Sequence, residues 1–174
     1  MRDDGRPIAL IGLMGAGKSA VAARLGERLG AAVADLDAMI EAEAGSTIAE
    51  LFAREGEPAF RRREAELLDR ALGAGVRVIA CGGGVVVDPA ARMRLRDRCR
   101  VAWLEVTPAE AARRVAGTEA RRPLLGTGDP TRRLAELLLE RAPLYAEASD
   151  ARIATDGRAP EQVADAVLTA LRGA

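Results

Sequence analysis

Residues 12–19 read Gly12-Leu13-Met14-Gly15-Ala16-Gly17-Lys18-Ser19. They stand between an apolar run, Pro7-Ile8-Ala9-Leu10-Ile11, and a stretch in which Val21, Leu25 and Leu29 recur every fourth residue. A G-x-x-x-x-G-K-[ST] pattern in that setting dictates a strand, a tight glycine-rich loop and a helix. The glycines let backbone N–H groups turn inward, and the helix start adds the positive end of its dipole. Such a loop cradles phosphate oxygens. Lys18 reaches the outer phosphates as a compact charge, and Ser19 offers its hydroxyl to Mg²⁺.

A length of 174 residues points to one domain over 1–174, with a sizeable core. Val76 to Ala80 and Val101 to Val106 are further apolar runs; Ala32 to Ala34 and Arg152 to Thr155 are weaker ones. Between them lie helix signals. Thr47-Ile48-Ala49-Glu50 reads as a capping box, and Pro58 suits a first turn ahead of the apolar face of Phe60, Leu67, Leu68, Ala71 and Leu72. Asp88-Pro89, Thr107-Pro108 and Ala159-Pro160 open three more helices. Strands alternating with helices imply an α/β fold in three layers, a parallel sheet of about five strands with helices on both faces. Residues 116–130 break this rhythm with three Gly and two Pro, and a mobile lid is expected there.

Composition excludes several chemistries. There is no His, so triads, Cys-His dyads and imidazole metal sites are ruled out. Cations and anions balance at 26 each, and four scattered aromatics make no stacking platform, so nucleic acid is not an expected partner. Cys81 and Cys99 are too far apart for a CxxC pair and read as reduced, buried thiols. The first 19 residues superficially resemble a signal peptide, but Gly and Lys18 interrupt the apolar stretch. No other segment approaches ~18 uninterrupted apolar residues, so no membrane span is expected and the cytoplasm is the expected compartment. The alternating Arg92, Arg94, Arg96, Arg98 and Arg100 read as a solvated helix end and loop.

Three classes fit a phosphate-binding loop: a small-molecule kinase, a GTPase-like switch or an ATPase motor module. A guanine-reading N-K-x-D needs a second Lys, and Lys18 is the only one among the 26 cations. The length and the long lid favour the kinase. For its acceptor site, Asp35 and Asp37 follow a strand, and residues two apart on an extended segment share a face. One carboxylate can hold Mg²⁺ through water while the other takes or orients the proton of a hydroxyl. Gly82-Gly83-Gly84 suits a close backbone approach. Arg61, Arg122 and Arg141 can grip an anionic substrate, although chemistry alone selects none among so many arginines.

The combination of GLMGAGKS (12–19), DLD (35–37), FRR-E (60–64), GGG (82–84), RPLL (122–125) and RAPLY (141–145), with the stretch from Thr155 to Pro160, resembles the shikimate kinase family over residues 7–172. The resemblance implies a P-loop kinase fold and transfer of the ATP γ-phosphate to the 3-hydroxyl of shikimate, in aromatic amino acid biosynthesis. It implies that Asp37, Arg61, Arg141 and the glycines Gly82, Gly83 and Gly84 bind shikimate, with Asp37 as base. Ser19 would hold Mg²⁺, with Asp35 in its outer shell. Gly15, Ala16, Gly17, Lys18, Ser19 and Ala20 would surround the ATP phosphates, Arg122 would meet the transferring group, and Arg114, Arg158 and Pro160 would flank adenine. Lys18, Asp37 and Arg122 form the implied catalytic set. An insertion in the lid leaves Arg113 as an alternative to Arg114, and Ala20 stands where the family commonly has Thr. A monomer is expected. Gluconate and nucleoside monophosphate kinases are the alternatives, against which GGG and RPLL argue; a nucleotide-binding regulator that keeps the fold is a third.

Overall fold

A computed structural model describes residues 5–117 and 122–172 of the chain. Among them, five strands form one sheet: β1 (Ile8–Ile11), β2 (Val33–Asp35), β3 (Val78–Ala80), β4 (Arg100–Glu105) and β5 (Ala151–Ala154). Their order is β2-β3-β1-β4-β5, and every pairing is parallel. The connections are α1 (Lys18–Leu29), α2 (Leu36–Ala44), α3 (Ile48–Gly73), α4 (Pro89–Arg98), α5 (Pro108–Val115) and α6 (Pro130–Ala148), and α7 (Pro160–Arg172) follows β5. The chain leaves β1 toward one edge of the sheet and β4 toward the other. A crevice therefore opens at the carboxyl ends of the central strands, which is where open parallel sheets bind ligands.

The all-apolar character of β1 has a direct cause. Ala9 and Ile11 enter a cluster with Leu36, Leu68 and Leu95 from α2, α3 and α4. Leu10, pointing the other way, meets Leu25, Ala111 and Val167 from α1, α5 and α7. Both faces of the sheet are thus covered, giving three layers. Each fully buried aliphatic side chain contributes about 1.5–3 kcal/mol. Val21 and Leu25 face this core as the four-residue spacing predicts, but Leu29 is 39% exposed, because α1 ends at Gly30 in the left-handed conformation.

The helix starts are set by short polar side chains. Thr47 Oγ1 accepts from the Glu50 N–H at 3.2 Å while Glu50 Oε2 accepts from the Thr47 N–H at 2.7 Å, completing the capping box. Asp88 caps α4 through the Ala90 N–H at 2.9 Å, and Thr107 caps α5 through the Glu110 N–H at 3.3 Å. In α3, Gly56 (φ 79°, ψ 169°) kinks the helix just ahead of Pro58. Pro58 therefore falls in the first turn of the second half, where its missing N–H costs nothing.

The arginine run differs from its expected role. On a helix, residues two apart lie about 200° apart, so alternation along α4 spreads the charges over opposite sides. Arg92 Nη1 donates to the Val86 carbonyl at 2.7 Å and Arg92 pairs with Glu147 on α6, Arg94 pairs with Asp69 on α3, and Arg100 donates to the Leu171 carbonyl on α7. Arg96 also reaches Glu147, at 4.0 Å, so four of the five are tethers between elements. Of the expected lid, residues 118–121 lie outside the described residues. Pro123–Leu125 forms a 3₁₀ turn whose Leu125 is buried in the core layer of α1, α5 and α7.

Candidate active site

The glycine-rich loop runs from the end of β1 into α1 and is wedged between two neighbours. A β-carbon on Gly12 would overlap the Leu104 carbonyl of β4. Gly15 has φ +81°, and a β-carbon there would come within 2.8 Å of the Ala111 carbonyl on α5. Only glycine fits such a position. Inside the loop, Lys18 Nζ donates to the Gly12 and Leu13 carbonyls at 2.8 and 3.0 Å. Burial holds the ammonium pKa below its ordinary value, while Asp37 pulls it back up.

Asp35 and Asp37 do meet at one cavity, though not by the geometry that the sequence suggests. Asp35 ends β2 and caps α2, accepting the Ala38 N–H at 3.2 Å, and Asp37 lies in the first helical turn. The strand stops two residues short of Asp37, and the strand-to-helix turn brings both carboxylates to the pocket that Ser19 also lines. Asp37 Oδ1 is buried without a hydrogen-bond partner. Burial lifts this carboxyl above its ordinary pKa, with Lys18 opposing.

Beside this cavity lies a second pocket, lined by Arg61, Arg141, Gly82, Gly83 and Gly84 together with Asp37. Two carboxylates hold Arg61. Its Nε and Nη2 donate to Glu57 Oε1 at 3.2 and 3.0 Å, and Nη1 donates to Glu64 Oε2 at 2.7 Å. On α6, one turn apart, Arg141 Nη1 (at 3.0 Å) and the Tyr145 hydroxyl both donate to the Gly83 carbonyl, which fixes the glycine run. Burial pushes the Tyr145 pKa up to about 12, so the phenol remains a donor. Gly82 and Gly84 owe their small size to this crowding. A β-carbon on Gly82 would overlap Glu64 Oε1, and one on Gly84 would overlap the Arg61 guanidinium.

Glu64 has no role in the sequence reading beyond its place in FRR-E. It is 2% exposed, its Oε1 is unpartnered, and burial lifts its pKa. The signal was local: Glu57, Arg61 and Glu64 are spaced i, i+4 and i+7, and carboxylates at those offsets bracket a guanidinium. Arg122 lines both this pocket and the cavity of Lys18 and Asp37.

On the far side of the loop, a cleft of about 490 Å³ is lined by Ala16, Gly17, Ala20, Arg114, Arg158 and Pro160. Arg114 is tied into its wall. Nη1 donates to the Gly15 carbonyl at 3.2 Å and to Thr155 Oγ1 at 3.1 Å, and Nη2 donates to the Thr155 carbonyl at 2.8 Å. Arg113 lines the same cleft, yet its side chain is 72% exposed against 22% for Arg114. Arg158 is anchored on the Ala154 and Gln162 carbonyls at 3.1 and 3.0 Å.

The unpartnered Asp37 Oδ1 thus stands where the cavity of the glycine-rich loop and Lys18 meets a pocket lined by Arg61 and Arg141. That arrangement on a five-stranded parallel sheet is the organisation of a P-loop small-molecule kinase. Comparison with known proteins narrows the class. The family profile described as shikimate kinase matches residues 14–172. The shikimate kinase of Symbiobacterium thermophilum is 45% identical over 166 residues, covering 95% of each chain, and that of Streptomyces avermitilis is 45% identical over 164 residues, covering 94% of each. The solved shikimate kinase of Acinetobacter baumannii, in complex with shikimate, superposes with a TM-score of 0.92 at 34% identity, covering 97% of this chain and 93% of that one. This chain belongs to the shikimate kinase family.

Proposed function

We propose that the chain transfers the γ-phosphate of ATP to the 3-hydroxyl of shikimate, giving shikimate 3-phosphate and ADP, with Asp37 as the base. The observation that carries this reading is that Asp37 lines both the arginine pocket and the cavity of Lys18 and Ser19. An acceptor hydroxyl beside Asp37 would therefore face the end of a cradled triphosphate. The bond from the γ-phosphorus to the bridging oxygen breaks, a bond to the acceptor oxygen forms, and the hydroxyl proton passes to Asp37. Lys18 and Arg122 neutralise charge on the transferring group. Arg61 and Arg141 hold the shikimate carboxylate, and the backbone of Gly82 to Gly84 approaches its ring.

The nucleotide occupies the opposite cleft, its adenine between Arg114 and Pro160 with Arg158 alongside. Arg114 is preferred to Arg113 for this place because its guanidinium is fixed against the cleft wall. Mg²⁺ fits the oxygen donors that remain. Among the described residues no group of three or more His, Cys, Asp or Glu could hold a metal unaided. Ser19 and Asp35 line one cavity, and that is enough for an ion that keeps its waters and takes its other ligands from phosphate oxygens. Bound there, Mg²⁺ would neutralise developing phosphate charge. The closing segment around Arg122 excludes water that would otherwise accept the phosphoryl group.

A single domain acting as a monomer in the cytoplasm completes the reading. Two core clusters on the two faces of one sheet support the single domain, and the free, buried Cys81 and Cys99 fit a reducing compartment; among the described residues no helix is long and apolar enough to cross a membrane. An ADP-release assay with shikimate, gluconate and nucleoside monophosphates tests the reaction. Shikimate should stimulate release, and no signal above ATP alone would overturn the assignment. Arg61→Lys is expected to raise the shikimate KM severalfold, because an ammonium cannot keep both glutamates and still present a fork to the substrate. An unchanged KM would count against carboxylate recognition at Arg61.

A further inference from the structure

We propose that Glu110, which itself lines this cleft, is a positioning residue for nucleotide binding: it holds Arg114 flat against the wall and sets ATP affinity through that side chain. The inference rests on the assignment of that cleft to the nucleotide, and the experiment below separates the two. Two adjacent arginines compete for the role, and they leave a helix about 100° apart, so only one can lie along the wall. Glu110 lies one turn earlier on α5 and is shared between them. Its Oε1 accepts from Arg114 Nε and from Arg113 Nη2, each at 2.7 Å, and its Oε2 accepts from Arg113 Nε at 2.7 Å. Arg113 is thereby held outward in solvent.

Arg114 turns inward and continues to the Gly15 carbonyl and to both oxygens of Thr155. With Nε, Nη1 and Nη2 all engaged, the plane of the guanidinium is fixed by its edges, which leaves its faces for stacking on a base. Of these anchors Glu110 is the one charged partner, and a charge-assisted bond to Nε is the strongest restraint on how the plane turns.

Glu110 is itself well supported. Thr107 Oγ1 accepts its backbone N–H at 3.3 Å and donates to Asp156 Oδ2 at 2.5 Å, and Asp156 Oδ1 accepts the Thr107 N–H at 3.1 Å. The start of α5 and the loop after β5 are thus joined twice, once through Thr107 and Asp156 and once through Arg114 and Thr155. Hydrogen bonds from Arg113 and Arg114 hold the Glu110 carboxyl down to about 2, so it stays ionised wherever the enzyme is assayed.

The test turns on a sign. A carboxylate acting only through its charge would repel a polyanionic nucleotide, and its removal would tighten ATP binding. A carboxylate that positions Arg114 gives the opposite result. Glu110→Gln should therefore raise the ATP KM, and the ATP Kd by titration calorimetry, about fivefold, the scale of one charge-assisted hydrogen bond. The shikimate KM should stay within twofold. Adding Glu110→Gln to Arg114→Ala should weaken ATP no further than Arg114→Ala alone, since the effect passes through that side chain. An unchanged or lowered ATP KM in Glu110→Gln, beside a raised one in Arg114→Ala, overturns the proposal and leaves the nucleotide cleft standing. A shikimate KM that rises in parallel also overturns it, by marking a general structural role. If Arg114→Ala itself leaves ATP binding unchanged, it is the assignment of the cleft that fails.

Discussion

Asp37→Asn is expected to lower kcat by roughly 10²-fold or more, the scale of losing a general base. The substitution nearly conserves shape, so a large loss would report on the proton and not on packing. The site is built to make that carboxylate reactive. Its Oδ1 is buried with no hydrogen-bond partner, and burial lifts the carboxyl above the ordinary aspartate range, with the Lys18 charge opposing. A basic carboxylate takes a hydroxyl proton more readily than an ordinary one.

The sign of the pH dependence follows. As the proposed base, Asp37 would act only when ionised, and its raised pKa means that ionisation is completed at a higher pH than for a free aspartate. Turnover should therefore fall on the acid side starting above the usual carboxylate range, and the residual activity of Asp37→Asn should lack that limb. The pH profiles of kcat/KM for the two proteins supply the measurement. Near-wild-type turnover in Asp37→Asn would remove the base from the mechanism.

Much of this arrangement is legible in the sequence because its strongest signals are local. All five strands and the helix starts at Pro89, Pro108 and Pro160 fall where apolar runs and capping pairs place them, within a residue or two. The boundaries that moved did so for tertiary reasons. Val76 and Arg77 lie outside β3, whose pairings with β1 and β2 begin at Val78. Asp35 and Asp37 share a pocket through a turn that no periodicity encodes.

The roles of charged side chains were harder to read. With arginine at nearly every cationic position, residue type carries little information, and an arginine becomes distinctive only through the acid that holds it. Glu57 and Glu64 single out Arg61, and Glu110 with Thr155 singles out Arg114. The Glu offsets are visible in the sequence, but the contact with Thr155 spans 41 residues and is created by the sheet order. For the same reason the tethers made by Arg92, Arg94, Arg96 and Arg100 could not be told from a solvated run.

Lys18→Arg should cost a similar or larger factor, about 10²–10³ in kcat/KM, comparable to deleting one preorganised donor at a site of developing charge. Arginine serves this chain at every other cationic position, so the substitution asks why lysine is kept at one. The surroundings of Nζ answer it. The ammonium sits within 2.8 and 3.0 Å of the Gly12 and Leu13 carbonyls, a pocket matched to a compact group with three rotatable donors. A planar guanidinium is wider, and the loop has no freedom to open around it. Gly12 abuts the Leu104 carbonyl on one side, and Gly15 abuts Ala111 on the other. The longer side chain must therefore swing out of the nest, taking its charge away from the outer phosphates while leaving the core untouched. The thermal midpoint should shift by no more than a few degrees as turnover collapses. A Lys18→Arg protein with kcat/KM within threefold of the wild type would show that any cation near the loop suffices, and that the lone lysine has no bearing on the chemistry.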